Sequence, residues 1–597
     1  MTPRVLHVAC LLASGCLTIP DTTAPQCYST SDCDTSAGEV CADGVCYGNP
    51  PTGTFAIAVG APSARLDLIG IERATEDLPD YGFLADLTLE APVTLSGRVS
   101  AASCVSTALA ECPTGALGAS ITISRPARFA GGPGVHEVAQ STAGGADTSF
   151  TVPVPRTRPS DADYTITVVP NDVTTGDPSV AAAELVPPLR TTLRTTDNLQ
   201  APFALGGDTL PVITGDLLGP DSTALTDYRV AAVGQWSADE APSEVSSVAY
   251  SHDGHFQIML SADLVGPVEI VARPTGMGAV APTLHLGGID SATGSALAIQ
   301  QPANLGAPHI ATLTIRGTST GGAVGPISGA RVLATATVTM TTALPMTGSP
   351  AAAELTAEVT TGDDGIAQLP LLDGTAFAGG YHLRVVPPAG SNLAVLDEDA
   401  FLLADATRVL KPRVALQGTV VDADGKPVRD VSVTVRPSLR FTWSLADASQ
   451  LFLAQIPAAT AVTPDTGDFV VFVDPALDAV TGTYDVTLEP PSGSSVPSFT
   501  VTDVAIPAGA KGPDIVALGT ITLPDAASLH GRISDPGGNS VEGAELRVFR
   551  LPADQLLCTQ VTNAPKKCQV PAQLQAHATS DQDGLVRFIL PRPAMMP

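Results

Sequence analysis

Thr419-Val420-Val421-Asp422-Ala423-Asp424-Gly425-Lys426-Pro427-Val428, followed after two residues by Val431-Ser432-Val433-Thr434-Val435, is the stretch on which the reading of this chain turns. In both runs apolar and polar residues alternate with period two, the pattern of a strand with one buried face. Between them, Asp424-Gly425 supplies the positive φ that a tight hairpin needs. The stretch therefore reads as a hairpin. The same design returns as Arg532-Ile533-Ser534-Asp535-Pro536-Gly537-Gly538, leading into Val541-Glu542-Gly543-Ala544-Glu545-Leu546-Arg547-Val548.

Working outward, the strand that enters this hairpin ends on a glycine, and four more strands do the same. The five are Val93-Thr94-Leu95-Ser96-Gly97, Pro211-Val212-Ile213-Thr214-Gly215, Leu313-Thr314-Ile315-Arg316-Gly317, Ala415-Leu416-Gln417-Gly418 and Ser528-Leu529-His530-Gly531. Their glycines lie roughly a hundred residues apart, which is the spacing of a domain-sized repeat. Later in each copy comes a second turn and strand: Asp253-Gly254 before His255-Phe256-Gln257-Ile258, Asp364-Gly365 before Ile366 to Leu369, Thr466-Gly467 before Asp468 to Val471, and Asp583-Gly584 before Leu585 to Phe588. The first copy has only Asp147-Thr148-Ser149-Phe150-Thr151-Val152 at this place. A closing strand follows in four copies, as Tyr164 to Val168, Val268 to Val271, Tyr381 to Val385 and Tyr484 to Leu488, each ending near a proline that cannot continue a ladder.

These turn and core motifs resemble carboxypeptidase regulatory-like domains, the fourth and fifth copies most closely. The resemblance implies transthyretin-like, seven-stranded β-sandwiches, similar in outline to carbohydrate-binding-like folds. The expected fold class is all-β, with tandem transthyretin-like or immunoglobulin-like sandwiches preceded by a small disulfide-rich module. The expected organisation is a signal at 1–15, a tether at 16–26, a Cys-rich module at 27–46, a linker or partial β-unit at 47–92, and sandwiches at 93–205, 206–305, 306–411, 412–524 and 525–597. The fifth sandwich is expected to be incomplete, because no closing strand follows its Asp583-Gly584 hairpin before Pro597. Either the sequence is cut short there, or another chain donates the strand to the open sheet edge.

Composition agrees with a row of small β-units. At 597 residues the chain exceeds what one core supports, and 55 Gly with 52 Pro supply turn formers at short intervals. Sixty acidic residues against 30 basic ones give a net charge of -30, which excludes nucleic acid as a natural partner, since phosphate binding needs surface cations. The charge suits solubility and mutual repulsion between neighbouring molecules.

The N-terminus carries Arg4, an apolar run from Val5 to Ala13, and Ala13-Ser14-Gly15-Cys16. This resembles a bacterial lipoprotein signal. The resemblance implies cleavage before Cys16, a diacylglycerol on its sulfur, and attachment to a membrane, with Leu17 in the next position favouring the outer membrane. Setting aside Cys10 and Cys16 from the ten cysteines leaves eight, an even number that suits an oxidising compartment. Cys27, Cys33, Cys41 and Cys46 are dense enough for a two-bridge knot of open connectivity; a zinc site would call for paired Cys-x2-Cys spacing, which they lack. Cys104 with Cys112, and Cys558 with Cys568, read as local bridges closing short loops.

Motifs for catalysis are weak. Gly317-Thr318-Ser319-Thr320-Gly321 matches a nucleophile elbow as a string, but the elbow must pass from strand to helix, and here Gly322, Gly325 and Pro326 lead into another strand. His252 and His255 flank a predicted hairpin without a third ligand partner, and Asp422 with Asp424, or Asp581 with Asp583, read as turn formers without the terminal Glu of a calcium loop. No cofactor is expected. Aromatic residues make up 4% of the chain, so Trp443, in the longest insertion of the fourth copy, is the candidate ligand contact. The expected function is that of a non-catalytic, lipid-anchored stalk or display scaffold at the cell surface; the alternative is an adhesin contacting glycan or surface proteins, and a third reading is an accessory chain of a secreted hydrolase.

Overall fold

The computed structural model describes residues 26–592, apart from 76–77, 105–116, 127–134, 144–148, 158–162, 172–181, 238–241, 252, 276–280, 293–294, 302–305, 319–322, 344–349, 375–379, 445–457, 478–479, 492–493 and 552–572. The chain is all-β, built of tandem two-sheet units. Every glycine-ended strand lies in the middle of one sheet. Val414–Val421, for example, pairs antiparallel with Asp468–Val473, the strand after the Thr466-Gly467 turn, and parallel with Ile515–Thr522. Its glycine is required by close approach: a Cβ on Gly418 would lie 2.9 Å from the Phe469 ring, and one on Gly215 would lie 2.6 Å from the Phe256 ring. The aromatic ring of the hairpin strand fills the space that the missing side chain leaves.

The facing sheet of the fourth copy pairs Ser432–Pro437 with the closing strand Thr483–Glu489, which in turn pairs with Phe499–Ala505. The tyrosine near the start of the closing strand fixes one sheet against the other. Tyr484 donates its hydroxyl to the Asp474 carbonyl at 2.6 Å, Tyr381 to the Leu372 carbonyl at 2.9 Å and Tyr164 to the Pro155 carbonyl at 2.6 Å. Each phenol is buried, and each finds an acceptor just past the hairpin strand, so burying it leaves no polar group unsatisfied.

The fifth copy departs from expectation. Its edge is occupied, and by the same chain: Phe55–Gly60 pairs antiparallel with Glu545–Arg550 over the whole strand, Phe55 opposite Arg550 and Gly60 opposite Glu545. Ile71–Thr75 pairs with Phe55–Gly60, and Leu87–Thr88 runs parallel to Ala526–Ser534. The segment 47–92, expected as a linker or partial β-unit, supplies three strands to the C-terminal segment. The physical reason is burial. Phe55, Ile57, Val59, Leu84, Leu87 and Leu89 share one core with Leu529, Ile533, Leu546, Val548 and Phe588.

A second departure concerns the second and third copies. Thr283–Ile289 pairs antiparallel with Pro350–Thr360, joining their sheets into one of nine strands, and a single hydrophobic cluster runs through both. The remaining junctions are also packed. The first copy meets the N-terminal segment through Arg125 and Glu72 at 3.5 Å, and meets the second through the Val248 amide on the Ala183 carbonyl and the Arg190 guanidinium over the Trp236 ring. At the third junction the buried Asp474 of the fourth copy accepts the Val395 amide of the third at 2.8 Å and is held by the buried Arg413 of its own copy at 2.9 Å. The fourth and terminal copies flank a cleft of about 640 Å³ together with Gln26 and Tyr47. The contacts thus run from the terminal copy through the first, second, third and fourth, and the chain then returns to the terminal copy.

Phe55→Ala should destabilise the terminal copy by about 3 to 5 kcal/mol, the usual cost of emptying a buried phenylalanine site. Hydrogen exchange should accelerate at Leu546 and Val548 while Val433 and Val435 stay protected. Unchanged exchange at Leu546 and Val548 would contradict the pairing.

Candidate anchoring and closure site

The residues that come together at the N-terminal end are a disulfide knot and the strands on which it docks. Cys27 bonds Cys41 and Cys33 bonds Cys46, an interlaced pairing that holds the short hairpin Val40–Ala42 and Val45–Tyr47 against two turns of 3-10 helix. Asp34 caps the second turn, its carboxylate accepting from the Ser36 hydroxyl and from the Ser36 and Ala37 amides, and these bonds, the hydroxyl's first, hold its carboxyl below the usual range. With all four sulfurs in disulfides, no thiolate is left there for zinc.

The knot is clamped to the C-terminal segment by charge and by ring packing. Glu39, buried, accepts the Asp34 amide at 3.0 Å and pairs with Arg592, while Asp43 pairs with Arg587 at 3.2 Å. Tyr47 lies opposite Ser528, and its ring meets His530 edge-on at 4.1 Å. Phe83 covers the other side of the imidazole at 5.1 Å, and the backbone of His530 exchanges hydrogen bonds with Gly82 and Leu84. Burial between the two rings pushes His530 below the usual imidazole range; Arg587 acts in the same sense and Asp43 opposes it. The arrangement can hold the two ends of the chain side by side.

Of the residues singled out in the sequence, Cys16, Cys112, Cys558, Cys568, His252 and Ser319 lie outside the described residues. Cys104 is disulfide-bonded. Trp443 sits on the helix Leu439–Ser444, and its side chain is outside the described residues. His255 is far from the knot, with its Nδ1 3.1 Å from the Asp216 carboxylate on the partner strand. Asp422 accepts the Lys426 amide at 2.8 Å and Asp581 accepts the amides of Asp583 and Leu585, so both carboxylates close their turns. Glu39, Arg592 and His530 carry no motif. Their one signal is a run of strand-like residues at 55–59 facing a fifth copy that is short of strands.

Stability of the docked knot should follow pH through His530. Because its folded-state pKa is lowered, the unfolded chain binds the proton more readily, so the contribution is complete above the usual imidazole pKa and lost as pH falls below it. A thermal melt of the full chain should show the knot loosening between about pH 7 and 5, and His530→Phe should remove that dependence while keeping the ring contacts. Equal pH dependence in wild type and variant would contradict the assignment.

No family model matches the chain, and no curated protein matches it. Among solved structures it is similar to the Bacillus anthracis TIE protein, at 11% identity over 68% of this chain and 69% of that one, with a TM-score of 0.15. It is also similar to GBS52, the minor pilin of Streptococcus agalactiae, at 16% identity over 36% of this chain and 96% of that one, TM-score 0.18. A streptococcal ancillary pilin aligns at 10% identity over 72% of this chain and 98% of that one, TM-score 0.14. Similarity at this level assigns no function.

Proposed function

We propose that the chain is a non-catalytic scaffold of the cell envelope, exported and held to a membrane by a lipid on Cys16. The observation that carries this reading is the closure site: the knot that follows the tether is bonded internally and clamped to the last strand, so an anchor at Cys16 would hold both ends of the array at one place. Among the described residues no helix is long and apolar enough to cross a membrane, and attachment in this reading rests on the lipid. Among the described residues Asp422 and Asp581 close turns, and His285 bridges Glu269 at 2.9 Å and Thr356 at 3.0 Å across the joined sheet.

In this reading the scaffold is a stalk or display array whose first and last strands share one unit. In it the second and third copies, which share one sheet and one core, are the part that an anchored molecule presents. A second reading, adhesion to glycans or surface proteins, is favoured by one observation: a cleft of about 760 Å³ opens between the third and fourth copies, within the range of small-ligand sites.

Cells expressing the chain and fed labelled palmitate should incorporate label into the wild type, which should partition into detergent. Cys16→Ala should lose both properties and remain folded. Label retained in Cys16→Ala would overturn the anchor.

A further inference from the structure

The chain contains five lysines, at positions 411, 426, 511, 566 and 567. Among the three that are described, Lys426 is paired with Asp424 at 3.1 Å. Lys411 and Lys511 form no ion pair among the described residues, and both line the cleft between the third and fourth copies. Their convergence is imposed by backbone packing: a Cβ on Gly512 would lie 1.8 Å from the Pro412 carbonyl oxygen, so the loop that carries Lys511 rests directly on the connector that carries Lys411. Two unneutralised cations are thus held on adjoining backbones of a chain with net charge -30.

The acids around them are committed elsewhere. Asp397 bonds Arg384 and His382, Glu398 bonds Arg408, and Asp514 accepts the backbone amide of Lys511. Asp399, 94% exposed at its side chain, meets His382 at 2.8 Å and keeps acceptor capacity toward the cleft. Val395, Leu396 and Leu477 add an apolar wall. The Val395 amide of the third copy on the Asp474 carboxylate of the fourth, and the Arg413 amide on the Asn392 carbonyl, hold the two copies on either side, so the cleft is formed before a ligand arrives. Cations for a carboxylate, carboxylate oxygens for hydroxyl donors and an apolar wall for ring C–H faces together describe a sugar acid.

We propose that the cleft between the third and fourth copies binds a carboxylate-bearing saccharide, with the Lys411 and Lys511 ammonium groups taking its carboxylate and Asp399 accepting from its hydroxyls. This deepens the adhesion reading and is independent of the lipid on Cys16, whose labelling experiment has its own outcome. The test titrates the full chain with trigalacturonate, with neutral galactotriose and with a short acidic peptide, following heat of binding. The uronate should bind, more weakly as salt rises, and Lys411→Ala with Lys511→Ala should weaken it by about tenfold or more, the scale expected for removing charge-assisted contacts. Lys426→Ala, on a turn outside the cleft, should leave binding unchanged. The proposal is overturned if galactotriose binds as well as the uronate, if Lys426→Ala weakens binding equally, if the double variant binds like wild type, or if no uronate binding is seen. Tighter binding of the acidic peptide would replace the saccharide by a protein ligand and overturn the assignment as well.

Discussion

Backbone pairing between Phe55–Gly60 and Glu545–Arg550 is the constraint on which the architecture rests. Nearly the whole chain separates the two strands, so closing this ladder carries the entropic cost of a very long loop. That cost grows only slowly with length, and the core it completes includes Phe55, Ile57, Val59 and Leu89, all buried, against Leu546 and Val548. An apolar strand left at an open edge would invite pairing with other molecules. Closure within the chain removes that edge and puts the first and last strands in one unit.

Closure would mean little if the units between were loosely hinged. They are not, and the physics differs from joint to joint. The second and third copies share a ladder and a core, so they move as one body. The third and fourth are tied by the Val395 amide on the buried Asp474 carboxylate, which Arg413 of the same copy holds in place. Burial pushes the Asp474 carboxyl up, and the Arg413 guanidinium pulls it back. Such a pair contributes little net stability against apolar neighbours, but removing either partner strands a buried charge, so it fixes one geometry more than it strengthens the fold. The terminal copy is bound to the disulfide knot by Glu39 with Arg592 and by the Tyr47, His530 and Phe83 stack.

Much of the fold was legible because its signals are local. Alternation in Val431 to Val435, the Asp424-Gly425 turn and the glycine at 418 report the conformation of their own residues, and the repeat multiplies each signal by five. The closing strand of the terminal copy was not legible at its true position. Phe55-Ala56-Ile57-Ala58-Val59 is apolar at every position, so it lacks the alternation that marks a strand with one buried face, and nothing local names a partner near residue 548. The same holds for the joined sheet: Thr283 opposite Thr356 is a fact of tertiary packing with no sequence motif. At the closure site the cysteines were visible and their interlaced pairing was not, since spacing alone leaves connectivity open. Glu39 and Arg592 were invisible because an ion pair between distant segments leaves no periodicity in either.

The most direct measurement is a disulfide trap across the closing ladder. Ala58 and Arg547 stand opposite each other on its outer face, and the variant Ala58→Cys, Arg547→Cys should oxidise to a link between those two positions within one molecule, found by peptide mapping as a monomer. A link found only between two molecules, or positions 58 and 547 remaining as free thiols in the folded protein, would contradict closure of the chain on itself.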